Sequence, residues 1–106
     1  MKVKDEKIKE LIKEAAASFF LRESNRTSLI TITGATMETR GTKSTILITV
    51  YPEEKEKEAL DFVKRKLAPL REYVKSYGRM RHVPFLAVAL DVGEKNRQKI
   101  DELLLP

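Results

Sequence analysis

The chain predicts an α+β fold in the order α-β-β-α-α-β-α, with helices packed on one face of a three-stranded sheet. Three observations lead there. Apolar residues recur at helical spacing near both ends and in the middle of the 106 residues. Three short stretches alternate with a period of two, as half-buried strands do. Pro52 and Pro69 bracket the central helical region and set it apart from its neighbours in the chain.

The first helix is expected over residues 5–20, where Ile8, Leu11, Ile12, Ala15, Ala16, Phe19 and Phe20 form one stripe. Its polar face mixes both signs, with Asp5 four residues before Lys9 as a favourable pair, and reads as solvated. Residues 21–27 are polar, include Ser24, Asn25 and Thr27, and read as a loop. The first strand is expected over 28–37, with Ile30 and Ile32 on one face, Thr31 and Thr33 on the other, and Gly34 marking a bulge or bend. Residues 38–43, with Gly41, make a hairpin turn. The second strand, 44–51, sets Ile46, Ile48 and Val50 against Leu47, Thr49 and Tyr51. Two strands so close in sequence pair antiparallel.

Pro52 stops the second strand and suits the first turn of a helix. Glu53, Glu54 and Glu56 then lie where the helix dipole favours negative charge. This second helix is expected to reach Leu67, with Ala59, Leu60, Val63 and Leu67 facing inward. Pro69 disfavours helical geometry at Ala68 and ends it. The same proline opens a third helix over 69–77, which Gly78 closes as a left-handed cap. In the last strand, 83–91, Leu86, Val88 and Leu90 alternate with Phe85, Ala87 and Ala89. The small alanines suggest the face that a helix crowds, and Pro84 suggests an edge position or the start of a strand. Asp91 and Gly93 read as a turn with a structural role, and residues 94–104 as a short final helix with Ile100, Leu103 and Leu104 as its apolar side. A single domain over residues 1–106 is expected, with no internal repeat or linker.

Composition narrows the function classes. The absence of cysteine removes disulfides, thiolate metal sites and thiol nucleophiles together. A hydrophobic share of 42% with 35% charged residues reads as soluble and compact rather than disordered. Residues 1–14 alternate Lys with Glu and Asp without the apolar centre of a secretory leader, and the apolar runs are far short of a membrane span. A cytoplasmic protein is expected.

The excess charge sits in one segment. Residues 64–82 hold seven basic residues against the single acid Glu72, a net +6, while the whole chain carries +5. Arg71, Lys75 and Arg79 recur at i, i+4 and i+8, opposite a stripe of Leu70, Tyr73, Val74 and Tyr77. Like charges at that spacing mildly weaken a helix, so the row points to a polyanion as partner. Tyr73 and Tyr77 could stack on bases. Their spacing with Leu70 and Val74 places them instead in the core, as with Phe19, Phe20 and Phe62. His82, the lone histidine, has no cysteine or acidic set to make a metal site. It reads as a phosphate neighbour beside Arg81 or as a structural residue where the last strand starts. The sequence shows neither a Gly-rich phosphate loop nor a nucleophile beside a base, so an enzyme such as an acylphosphatase-like sandwich has little to build on. No catalytic residue, metal or cofactor is expected. A protein-docking module and a general RNA-binding domain are the alternatives, separated by salt dependence combined with nuclease sensitivity.

Two short helices meeting at a break before the last strand resemble the type II KH fold. Ile-Thr-Ile-Thr at 30–33, Ile-Leu-Ile-Thr-Val at 46–50 and Tyr-Gly-Arg-Met-Arg-His-Val-Pro-Phe-Leu-Ala-Val-Ala-Leu-Asp at 77–91 resemble the ribosome-binding factor A family. That family reads Leu-Arg-x-x-Pro-x-Leu, then an alternating strand and Asp. Met80, Arg81, Pro84, Leu86 and Asp91 fall on those positions, and the resemblance covers about residues 5–104. It implies a non-enzymatic bacterial assembly factor, a monomer when free, that binds the immature small ribosomal subunit in late maturation. It would act on 16S ribosomal RNA near its 5′ helix and the decoding region. The implied RNA face falls on Lys64, Arg65, Lys66, Arg71, Lys75, Arg79 and Arg81, with His82 beside them. The chain departs from the family at the break. Lys66-Leu67-Ala68 followed by Pro69 stands where the family has an Ala-x-Gly kink and most KH domains have Gly-x-x-Gly, so proline is expected to make the kink. At the hairpin, Glu38-Thr39-Arg40 stands in place of the family's Ser-x-Asp turn, and the contact of that Asp is not carried over.

Overall fold

In the computed structural model, which describes residues 2–23, 28–38 and 40–104, the chain opens with α1 (Lys2–Arg22) and a hairpin of β1 (Leu29–Met37) and β2 (Lys43–Tyr51). A 3₁₀ turn (Glu53–Lys55) leads into α2 (Glu56–Arg65), α3 (Leu67–Gly78), β3 (Phe85–Leu90) and α4 (Val92–Leu104). The order is the one expected from periodicity. The expected loop residues Ser24, Asn25 and Thr27 and the turn residue Thr39 lie outside the described residues, as do the side chains of Asp5 and Leu104.

The sheet order is β1-β2-β3, with β1 antiparallel and β3 parallel to β2. β3 is therefore an edge strand, in keeping with Pro84 just before it. Parallel pairing requires a crossover between the strands, and α2 and α3 supply it. Cross-strand register puts Ile30 beside Val50, Ile32 beside Ile48 and Ala35 beside Ile46, with Val88 on the other side of Ile46. These residues share the face that α1, α2 and α3 cover. Ile12, Ala15, Ala16 and Phe20 of α1, Val63 of α2 and Leu70 and Val74 of α3 close over Ile46, Ile48 and Leu86 in one buried cluster.

On β3 the covered face is the branched one: Leu86 is buried, with Val88 and Leu90 packed against the same cluster. The alanines do not mark the crowded face. They share the opposite side with Phe85, which is exposed. The larger side chains of Leu86, Val88 and Leu90 fill the space against the core cluster, as a close-packed apolar interior requires.

The bulge expected at Gly34 is present, since Ile32 faces Ile48 while Gly34 faces Leu47. Thr33 is the extra residue, and it is put to use. Its hydroxyl donates to Asp91 Oδ2 at 2.6 Å. Asp91 Oδ1 accepts the backbone N–H of Glu94 at 3.0 Å, which caps α4. The Asp91 N–H donates to Ile48 O at 2.8 Å, so this residue joins β1, β2 and α4. The Thr33 hydroxyl, and after it the Glu94 N–H, hold the Asp91 carboxyl below the ordinary aspartate range.

α4 is otherwise held by charge. Lys95 lies 2.8 Å from Glu53 and 2.9 Å from Glu56, and Lys99 lies 3.3 Å from Glu53. Glu53 is lowered and Lys95 raised from their ordinary values, each chiefly by its hydrogen bond to the other. The expected apolar side of α4 is not buried: Ile100 and Leu103 are exposed. The helical periodicity was real, but no described element lies over that side.

Asp91→Ala removes the cap and the Thr33 bond and is expected to cost about 1–2 kcal/mol in urea unfolding. Because folding lowers the Asp91 pKa, its contribution is present above the unfolded value of about 3.9 and is lost as pH falls through the lowered folded value. The stability difference between the native chain and Asp91→Asn should therefore shrink on going from about pH 6 to about pH 3.

Candidate nucleic-acid interface

The basic segment is shaped by a break and a cap. α2 ends at Arg65, and the Lys66 N–H donates to Val63 O at 2.9 Å, which tightens the last turn. α3 starts at Leu67, two residues before the position expected, and Pro69 is its third residue. There the missing N–H costs nothing, because the first helical donor with a partner is that of Leu70, bonded to Lys66 O at 2.9 Å. The proline still dictates the break, one turn upstream. In a continuous helix its ring would meet the carbonyl of Arg65, four residues earlier, so the helix stops at Arg65. Ala68 is helical after all, the pre-proline preference being outweighed by burial of Leu70 and Val74 in the same helix.

The other end of α3 also differs from expectation. Gly78 is helical, and the left-handed residue is Arg79, at φ 51° and ψ 45°. The Met80 N–H donates to Lys75 O at 3.0 Å and the Arg79 N–H to Ser76 O at 3.3 Å, the two bonds of a Schellman ending. Glycine is needed at 78 for space. A Cβ there would overlap Leu11 Cδ2 of α1 and lie 3.2 Å from Leu11 Cγ and 3.1 Å from Met80 Cγ.

On this frame Lys64, Arg65, Arg71, Lys75, Arg79, Arg81 and His82 are exposed. Among the described residues, none of them pairs with a carboxylate, whereas Lys9, Lys43, Lys55, Lys57, Lys95, Arg97 and Lys99 all do. Lys66 is the exception within the segment. It is half-buried, 3.2 Å from Glu23 and 5.9 Å over the Phe62 ring, so part of its charge is answered internally. Lys64 and Arg65 sit in the last turn of α2, where the dipole favours cations. Arg71 has a second role. Its Nη2 donates to Val83 O at 2.6 Å, fixing the segment that carries Arg81 and His82 against α3. The break brings Lys64 and Arg65 to the start of α3, and the Arg71 bond brings Arg81 and His82 alongside it.

The aromatic stripe of α3 is not all core. Leu70 and Val74 are buried and Tyr73 is half-buried, but Tyr77 is 45% exposed. The Tyr73 and Tyr77 rings stack with centroids 5.8 Å apart and planes 29° apart. The Tyr73 hydroxyl shares a 2.8 Å hydrogen bond with that of Ser18, and its ring lies 5.6 Å from Phe19. Arg22, in the last turn of α1, sits 5.9 Å from the Tyr73 centroid. Sequence reasoning passed over Arg22, although it lies four residues after Ser18 on the helix that faces Tyr73. Among the described residues no group of three or more His, Asp and Glu side chains is placed to hold a metal ion.

Comparison with known proteins bears on the family and the fold. The family model described as ribosome-binding factor A matches residues 4–104. The chain is similar to the crystal structure of ribosome-binding factor A from Thermus thermophilus, with a TM-score of 0.71 and 19% identity over 81% of this chain and 94% of that one. It is also similar to a homology model of the Thermus thermophilus factor fitted into a cryo-EM map of a 30S complex. There the TM-score is 0.66 and the identity 21%, over 74% of this chain and 86% of that one. At these identities the likeness shows the fold. No curated protein matches the chain.

Replacing Arg79 by glycine relieves the left-handed strain and removes a cation in one step. Arg79→Gly is expected to stabilise the fold by about 1 kcal/mol, read as a rise in Tm, while weakening binding to any polyanion at this face.

Proposed function

The chain belongs to the ribosome-binding factor A family, and on that premise we propose that it binds the small ribosomal subunit during late maturation, through 16S ribosomal RNA, without catalysing a reaction. It does so in the bacterial cytoplasm, as one domain over residues 1–106 and as a monomer when free. The likeness to a factor fitted into a 30S complex supports the choice of partner. No helix among the described residues is long and apolar enough to cross a membrane.

The observation that carries the reading is the set of exposed cations on α2, the break and α3 that have no carboxylate partner. Elsewhere in the described residues most cations are answered by acids within reach. Lys64, Arg65, Lys75, Arg79 and Arg81 lie against phosphates. Arg71 adds charge and positions the Arg81 segment through Val83, and His82 flanks it. Lys66, tied to Glu23, contributes less. Displacing counterions from ~4–6 phosphates gives log K a salt slope of roughly −3 to −5. Selectivity comes from the shape of the folded RNA, because long flexible cations read phosphate position rather than base identity. Binding shifts the unfinished RNA toward one arrangement, which needs only a few kcal/mol of differential affinity.

The test uses cations without a structural bond. Lys64→Glu combined with Lys75→Glu should stay folded, with Tm lowered only by the lost helix-dipole contacts of about 0.3–1 kcal/mol each. It should abolish co-sedimentation with immature small subunits at physiological salt and flatten the salt slope by roughly 2. A double variant that co-sediments as the native chain does would overturn the assignment of this face.

A further inference from the structure

We propose that the outer face of Tyr77 is a stacking subsite for an unpaired RNA base. This rests on the RNA-binding reading above and adds a class of ligand to it: a single-stranded nucleotide rather than duplex backbone.

Three features support the assignment. The Tyr73–Tyr77 pair differs from the other aromatic contacts among the described residues. Phe19 and Phe20 meet edge to face at 87°, and Phe20 and Phe62 are tilted at 60°, as rings filling a core do. Tyr73 and Tyr77 are stacked at 29°, an arrangement that a further planar ring can extend. The stack is also fixed in place. Tyr73 is held by the Ser18 hydroxyl at 2.8 Å and by Phe19, so Tyr77 rests on a ring that cannot easily turn. Finally, Tyr77 is poorly used as a core residue. It is 45% exposed, while Leu70 and Val74 on the same stripe are fully buried. An aromatic face next to cations is the combination that holds single strands, since every base offers a π-face and every nucleotide a phosphate. Arg22, exposed at the end of α1 and 5.9 Å from the Tyr73 centroid, puts a cation on the same side of α3, at the other end of the tyrosine pair.

The stripe lies across α3 from the Arg71 and Lys75 row, so the two sides of one helix engage different parts of the RNA. A base on Tyr77 requires a nucleotide free of its helix, whereas the cation row tolerates paired backbone.

The experiment measures binding of the full chain to an unstructured oligouridylate and to an RNA duplex of equal charge, at fixed salt. Tyr77→Leu keeps apolar bulk but loses the ring, and Tyr77→Phe keeps the ring. Stacking predicts that Tyr77→Leu weakens oligouridylate binding about fivefold or more, leaves duplex binding and the salt slope unchanged, and that Tyr77→Phe binds as the native chain does. A second readout is built in. The chain has three tyrosines and no tryptophan, so its emission is that of tyrosine. Oligouridylate should quench it in the native chain and less so in Tyr77→Leu. If Tyr77→Leu binds and quenches as the native chain does while Lys64→Glu/Lys75→Glu is weakened, the subsite is wrong and the basic face stands. If none of these variants alters binding, or the native chain binds neither RNA, both readings fall. Equal loss on oligouridylate and duplex would also overturn the subsite, because it would mark a general disturbance of α3.

Discussion

A proline ring cannot share a continuous helix with the carbonyl four residues before it. That steric rule, applied to Pro69 and Arg65, organises the half of this molecule that carries the candidate interface. It ends α2 at Arg65 and lets α3 restart at Leu67 with no hydrogen bond lost, because the first turn of a helix has no use for the donor that proline lacks. The crossover from β2 to the parallel strand β3 is thereby split into two short helices instead of one long one. Each short helix buries one side, Ala59 and Val63 on α2, Leu70 and Val74 on α3, and leaves the other to solvent. The cations are carried on what is left over.

The element order could be read from the sequence because each element declares itself locally. Alternation in 30–33 and 46–50, the 3.6-residue stripes of α1 and α3, and the positions of Pro52 and Pro69 all act over a few residues. The bulge at Gly34 was legible for the same reason. The misreadings share a different cause. That Gly78 makes room for Leu11, and is not the left-handed residue, depends on α1, which is remote from it in sequence. That the alanines of β3 lie on the open face, and that Ile100 and Leu103 find no cover, depends on where helices dock. Periodicity shows that a residue has a side, but it does not show what lies opposite.

For the candidate site, the charge count located the segment but did not show which cations are answered. Lys66 and Lys75 look alike in sequence, yet one meets Glu23 from the end of α1 and the other meets no carboxylate among the described residues. Arg71 reads as one of a row of cations, while in the fold one of its nitrogens is a donor to the backbone at Val83. Arg79 occupies a backbone conformation that glycine would adopt more cheaply, and so keeps a side chain at a strained position. The distinctions at Lys66 and Arg71 rest on contacts made across 43 and 12 residues of chain, beyond the reach of local pattern.

The attachment of α4 carries a practical consequence. Most of this fold is secured by apolar burial, which added salt does not weaken, but α4 is fastened by one capping carboxylate and by half-buried and exposed lysine–glutamate contacts. Such contacts are individually weak and are screened over a Debye length of ≈ 8 Å at physiological ionic strength. Ionic strength therefore acts on two things at once, the counterion balance at the helix pair and the docking of the C-terminal helix. Amide exchange across 92–104, followed against that of the buried strands, would show where a titration with salt stops reporting on the ligand and begins to report on the protein.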